Sequence, residues 1–436
     1  MRNVFYLMRL GLLSLWLVPT VTLAVHQENS ASMDSLSRIG EQGTLYRQAE
    51  ERLRERMQRN PQDHEASLLL ALIEFKSGAI EEALSELASL LKREPKFHLA
   101  HLIQGDMLLA QTRVVSDIGQ SALLQSDKKS KDDLGLLRQE AEARLASYLE
   151  SLPQGRLPRA LLSLDDDINH AVLVDKHSHR LYVYRRGSDG TPELIRDYYV
   201  STGKANGNKQ VTGDLRTPEG VYFITSHIPG EKLPDLYGIG AYPMNYPNEW
   251  DLRQGKTGYG IWLHGTESAY YSRPPLDSEG CVVLPNIDLG AVSDYLQPGT
   301  TPIVVTDRVE WLERDAYLAL RAEVRGAVEK WRADWQGSDV ERYLSHYDDK
   351  FWAKGHNKKS WQARKRRVAA GKEWQKIEFN DISLFAYPRA AGNGEEMMVV
   401  NLKQDYRSNN YSSAMDKRIY LVKADSGWRV LYEGGR

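Results

Sequence analysis

The stretch Asp277-Ser278-Glu279-Gly280-Cys281-Val282-Val283-Leu284, preceded upstream by Ile261-Trp262-Leu263-His264-Gly265-Thr266, decides how this chain is read. Each segment contains a short apolar run of strand composition, with a reactive side chain beside a glycine at its end. His264 closes one run and Cys281 opens the other, so both side chains fall at strand ends with tightly turned backbones. Cys281 is also the only cysteine in 436 residues. A lone thiol forms no internal disulfide, so in an oxidising compartment nucleophilic catalysis is the natural reason to keep one. A thiol needs a nearby imidazole to become a thiolate near neutrality, and an acyl intermediate needs amides around its oxyanion, which Gly280 and Cys281 can supply. The competing reading is a core thiol and a structural strand histidine.

Export is expected from the N-terminus. Arg2 and Arg9 give a charged start, Leu10 to Val18 a short apolar run, and Thr22-Leu23-Ala24 the small residues of a cleavage site, so residues 1–24 read as a signal peptide. The run is short for a membrane span, although Val4 to Met8 extends it backwards and leaves an uncleaved anchor as the alternative. Either way the rest of the chain lies beyond the inner membrane, in the periplasm. Its length points to two to four domains, and 41% hydrophobic residues suffice for packed cores. A net charge of −2 is too balanced for a polyanion partner, which excludes nucleic acid.

From 45 to 150 the chain reads as helical with a linker. Apolar residues recur at helical spacing through Leu68, Leu69, Leu72 and Ile73, then Ala83, Leu84, Leu87 and Leu90. Asn60-Pro61 and Glu94-Pro95 stand 34 residues apart (95 minus 61), with Ala71, Ala83 and Gly105 at small-residue positions. This resembles one tetratricopeptide repeat flanked by partial ones. Such helices offer a partner-binding surface or simply pack on the next domain. Gly119 to Asp133 reads as a linker, and Pro153, Pro158 and Asp165-Asp166-Asp167 as a boundary. Between 167 and 307 the period changes to two, and closely spaced strands such as His170 to Asp175, Arg180 to Tyr184 and Ile303 to Thr306 predict an all-β domain. Beyond it, from 315 to 436, a helix carrying Tyr317, Val324, Val328 and Trp331 precedes aromatic-rich strands. Helices first and a curved sheet afterwards resemble the α+β cone of nuclear transport factor and SnoaL-like proteins, with Trp352, Trp361 and Trp428 available for its interior.

His264-Gly265-Thr266 and Ser278-x-Gly280-Cys281, with Thr217-Pro218-Glu219-Gly220-Val221-Tyr222 upstream, resemble the L,D-transpeptidase (YkuD) catalytic domain. The resemblance covers residues 167–307. It implies Cys281 as nucleophile, His264 as base, the Gly265 carbonyl as the group that orients the imidazole, and Ser278 and Gly280 as shapers of the nucleophile turn. It implies no metal and no cofactor. Its substrates are the peptide stems of peptidoglycan, and the thioester passes either to an amine, as in a transpeptidase, or to water, as in a carboxypeptidase that trims tetrapeptides. Glu279 and Val283 depart from the family pattern, which often has His and then Arg or Asn there. Arg273, between the motifs, is the candidate for gripping a substrate carboxylate, or else a solvated loop residue. A non-catalytic wall scaffold is the remaining alternative, with the helices or the cone recruiting a protein partner or a second copy. His177-x-His179 reads as a hairpin rather than a metal pair, Gly203 to Asn208 as a turn, and Lys358-Lys359 with Arg364 to Arg367 as a solvated helix face.

Overall fold

Strand His170–Asp175 is apolar on both faces: Val172 and Val174 enter one core cluster, Ala171 and Leu173 another. A strand covered on both sides needs a continuous apolar run rather than alternation, and Ala171-Val172-Leu173-Val174 supplies it. In the computed structural model, which describes residues 44–112, 118–119, 128–150, 155–389 and 394–436, this strand lies at the middle of a five-stranded sheet. It pairs antiparallel with Arg180–Arg186 and parallel with Pro302–Thr306. A second, four-stranded sheet runs in the order Val282–Val283, Trp262–His264, Gly240–Pro243, Ile228–Pro229. Tyr222, Leu263, Val282 and Ile303 fill the space between the two sheets. The expected β domain is therefore present, with two short helices added, Glu249–Arg253 and Asn286–Ser293.

The C-terminal cone uses the other face of the five-stranded sheet. Its own sheet has seven strands, and strand Met397–Ser408 shows the period of two: Met398 and Val400 point into the cone with Tyr317, Val324 and Trp331 of helix Arg314–Gln336, while Met397 and Val399 pack on the catalytic domain. Trp361 and Trp428 lie inside the cone as expected. Trp352 does not: it packs against Trp250 of the catalytic domain, with centroids 5.7 Å apart. The edge strand of the seven, Leu161–Ser163, comes from before the catalytic domain, so the chain enters the cone's sheet first and completes it last. One buried core thus joins the two domains.

The N-terminal helices are α1 (44–59), α2 (His64–Lys76), α3 (Ile80–Arg93), α4 (His98–Ala110) and α5 (Lys128–Leu149). Asp63 caps α2 by accepting from the Ala66 amide, and Ala71 and Ala83 are fully buried where α2 meets α3. The set packs on the catalytic domain. Glu65 of α2 accepts from Arg144 of α5 at 3.0 Å and from Arg180 of the catalytic sheet at 2.7 Å, all three buried. Burial opposes the charge of Glu65, but Arg180, Arg144 and Arg56 outweigh it and hold the carboxyl at about 2. The expected signal peptide, residues 120–127 of the expected linker and Pro153 lie outside the described residues, while Lys128 to Asp133, read as linker, begin α5. Among the described residues no helix is long and apolar enough to cross a membrane.

Candidate active site

Leu263, Val282 and Leu284 all point into the sandwich core, so their neighbours along each strand, His264 and Cys281, face the opposite side together. The two strands run parallel, with Leu263 opposite Val282 and His264 opposite Val283. One step back in that register sets Cys281 level with Trp262. The imidazole and the thiol therefore share a face on neighbouring strands, in diagonal positions.

The imidazole is held from several sides. His264 Nδ1 lies 2.6 Å from the Gly265 carbonyl oxygen. A carbonyl only accepts, so Nδ1 carries the proton and Nε2 offers its lone pair. Tyr237 packs edge-on against the ring with centroids 5.0 Å apart. Gly265 has no room for a side chain, because a Cβ would meet Asn286 Oδ1 at 2.1 Å, and Asn286 Nδ2 in turn donates to the Thr266 carbonyl at 2.7 Å. Burial lowers His264 to about 4, so the ring is neutral at physiological pH. Val283, buried opposite it where the family often has a polar residue, adds to that apolar setting.

Cys281 is half-buried, and its thiol donates to the Gly260 carbonyl at 3.6 Å. Burial pushes the thiol up; a backbone hydrogen bond from Trp262, then Arg273 and Lys209, pull it down, and Glu279 pushes it up further. The turn before it is built by Ser278, whose hydroxyl donates to the Cys281 carbonyl at 2.7 Å and accepts the Gly280 amide at 3.1 Å. Gly280 adopts a φ of 129° with the Arg216 carbonyl against it, a backbone that only glycine takes without strain. The Gly280 amide, expected to serve an oxyanion, is thus already engaged in the turn. The upstream motif supports the same turn, since Thr217 Oγ1 accepts from the Gly203 amide at 2.9 Å.

Arg273 is not a solvated loop residue. It is 9% exposed, and its guanidinium donates to Glu267, to Thr266 Oγ1 and to the Leu236 carbonyl. His177 and His179 occupy the turn between two strands, with His179 at a φ of 53°. Among the described residues no group of three or more histidine, cysteine or acidic side chains is placed to hold a metal. Tyr237 and Asn286 are the site residues that sequence reasoning missed.

A second polar cluster lies inside the C-terminal cone, around a cavity of about 840 Å³. The basic run at 364–367 is not wholly solvated: Lys365 turns inward, 4.5 Å from the centre of the Trp335 ring and 4.6 Å from that of Trp361. Lys417 and Glu433, on neighbouring strands, form a buried ion pair there. An acid and base pair therefore stands on the cone's strands.

Three family models match the chain: a tetratricopeptide repeat over residues 47–101, the L,D-transpeptidase catalytic domain (YkuD) over 169–305, and the Cds6 C-terminal NTF2-like domain over 323–434. Among solved structures, Bd1075 of Bdellovibrio bacteriovorus is 30% identical with a TM-score of 0.57, covering 64% of this chain and 98% of its own. The helical cell shape determining protein Pgp2 of Campylobacter jejuni is 28% identical with a TM-score of 0.54, covering 64% of this chain and 95% of its own. No curated protein matches by sequence.

Proposed function

Because the chain belongs to the L,D-transpeptidase (YkuD) family, in the form that carries a C-terminal NTF2-like domain, we propose that it is a periplasmic, cysteine-dependent L,D-transpeptidase acting on the tetrapeptide stems of peptidoglycan. The observation that supports it best is the shared face of His264 and Cys281, with the imidazole proton fixed on the Gly265 side. In this reading Cys281 Sγ attacks the carbonyl of the amide between the stem's L-centre and its terminal D-alanine. His264 Nε2 takes the thiol proton as the bond forms and returns it to the departing amine of D-alanine. A thioester remains on Cys281. An acceptor amine then gives up a proton to His264 and displaces the thiolate, which is the transfer step. Arg273 bears on both reacting groups, and it would receive a substrate carboxylate by giving up part of its pairing with Glu267.

A second reading, hydrolysis of the same thioester to leave a tripeptide, is favoured by Val283 and by the likeness to a protein that determines cell shape. The helical and C-terminal domains are the surfaces we assign to a protein partner or a second copy. Incubating the mature protein with tetrapeptide-rich sacculi and weighing the released muropeptides tests the proposal. Crosslinked or D-amino-acid-exchanged products support transfer, tripeptide alone supports hydrolysis, and unchanged tetrapeptides sink both. Export is tested separately by fractionating cells that carry the full chain; a wholly cytoplasmic protein would remove it.

A further inference from the structure

Residues 265–275, the loop joining the two halves of the active site, are held from outside the catalytic domain. Tyr271 leaves this loop and enters the core of the helical domain, 5% exposed, with its ring centroid 4.1 Å from that of Phe97 and 5.6 Å from that of His64. Lys96, just before α4, fastens the backbone at two points. Its carbonyl accepts from the Tyr271 amide at 3.3 Å, and its Nζ donates to the Ser268 carbonyl at 2.6 Å. Ser272 donates to Glu140 of α5 at 2.6 Å. Immediately beyond, Arg273 turns back into the catalytic domain, and its charge bears on both His264 and Cys281. The Arg273 carbonyl accepts from the Tyr199 hydroxyl, and the Arg144 guanidinium of α5 lies 3.7 Å from the centre of that tyrosine's ring.

We propose that the helical domain is a working part of the active site and that Tyr271 is the positioning residue through which it sets the place of Arg273 and the catalytic loop. A loop of this length with little regular structure samples many conformations unless something fixes it, and ordering each residue has an entropic cost. A tyrosine seated in another domain's core fixes the loop two residues from Arg273. A partner that shifted α4 or α5 would shift the loop with it. The proposal rests on the acyl-transfer reading of Cys281 only for what the loop is positioned to do; the mechanical link to the thiol is separate.

The test uses the full mature chain with Tyr271→Ala, Phe97→Leu, the double variant and the conservative Tyr271→Phe, each checked for folding by thermal melt. Two readouts are taken: kcat and KM on a tetrapeptide muropeptide, and the pH profile of Cys281 alkylation by iodoacetamide. Tyr271→Ala is expected to lower kcat about 10- to 100-fold, more than it changes KM, because small misplacements near the chemistry have effects of that size. The alkylation inflection moves to higher pH as Arg273 withdraws from the thiol, while Lys209 and Glu279, on other segments, stay. Phe97→Leu, in another domain, shifts both readouts in the same direction, the double variant is no worse than Tyr271→Ala, and Tyr271→Phe recovers most of the rate. Folded Tyr271→Ala and Phe97→Leu proteins with parental kcat and alkylation profiles overturn the proposal and leave Tyr271 as cement between domains. If the parent turns over no stem peptide, the acyl-transfer reading fails, and the alkylation profiles alone decide whether the link exists.

Discussion

In the catalytic domain His264 and Cys281 are both driven toward their neutral forms, whereas in the C-terminal cone Glu433, paired with Lys417, keeps its charge at comparable depth. Burial is the largest influence on His264, Cys281 and Glu433 alike. At the catalytic pair it is not overcome, and the imidazole falls to about 4 while the thiol rises. In the cone Lys365 and Lys417 outweigh it and hold Glu433 at about 2. Lys365, losing more to burial than Glu433 returns, drops to about 8. The first cluster therefore stores a proton that moves only when a substrate arrives, whereas in the second Glu433 holds a fixed charge and Lys365 is the member that titrates close to neutral pH. Resting charge, more than the identity of the residues, separates the two clusters.

The sharpest way to break this contrast is Cys281→Ala. Removing the nucleophile should lower turnover of tetrapeptide stems on the order of 10⁴-fold or more, while the melting temperature hardly moves, because little packed volume is lost. Residual turnover near the parental rate would mean that the proton-storing pair is not the reactive one.

His264→Gln comes next, with a loss of about 10²- to 10⁴-fold in kcat. Since the imidazole is lowered to about 4, it is uncharged above roughly pH 5 and lends no positive charge to the resting thiol. Alkylation of Cys281 in the parent should accordingly rise only in the alkaline range, and the variant should keep nearly the same profile while turnover collapses. A parental inflection below pH 7 that vanishes in the variant would instead reveal a thiolate and imidazolium at rest.

On the cone side, Lys417→Met leaves Glu433 with the Tyr347 hydroxyl and with Lys365, 4.0 Å away, as its remaining cation, and should destabilise the chain by about 3 kcal/mol, as for other broken buried pairs. Glu433 is depressed from 4.5 to about 2, so its stabilisation is complete above pH 4.5 and is lost as pH falls toward 2. Denaturant melts should show that acid loss in the parent and a shallower one in the variant. The Cys281 alkylation profile should not change. A stability change below about 0.5 kcal/mol, the range of ordinary surface substitutions, would remove the fixed charge from the comparison.

What was legible in the sequence follows the reach of each interaction. Gly265, Ser278 and Gly280 act within three residues of His264 or Cys281, and their roles in the turn could be read from the motifs, apart from the engaged Gly280 amide. Strand His170–Asp175 and its hairpin partner were likewise local. Tyr271 was not legible, because its socket is made by Phe97 and His64 of the helical domain, and nothing in Tyr270-Tyr271-Ser272 distinguishes an anchored loop from a free one. Strand Leu161–Ser163 lay hidden between boundary prolines and aspartates, since its partner is more than two hundred residues away. The cone's charges did leave a signal. Lys417 shares a strand face with Ile419 and Leu421, and Lys365 follows Trp361 by four residues on one helix face, so each is a charged residue on an apolar stripe. Reading the basic run by composition, instead of by face, concealed Lys365.

The smallest expected effect belongs to Ser278. Its hydroxyl spans the nucleophile turn, donating to the Cys281 carbonyl and accepting the Gly280 amide, and it belongs to neither proton-storing group. Ser278→Ala removes both bonds and leaves a buried amide without a partner, which should lower stability by about 1–3 kcal/mol. The thiol and imidazole remain, so turnover should fall by about tenfold or less, as the turn loosens around a nucleophile still in place. Ser278→Thr keeps the hydroxyl and should restore both stability and rate. The two measurements together sharpen the contrast between groups that carry the proton and groups that hold them. A loss of turnover as deep as that of Cys281→Ala, with stability unchanged, would place the Ser278 hydroxyl against the reacting stem and move it to the reactive side of the comparison.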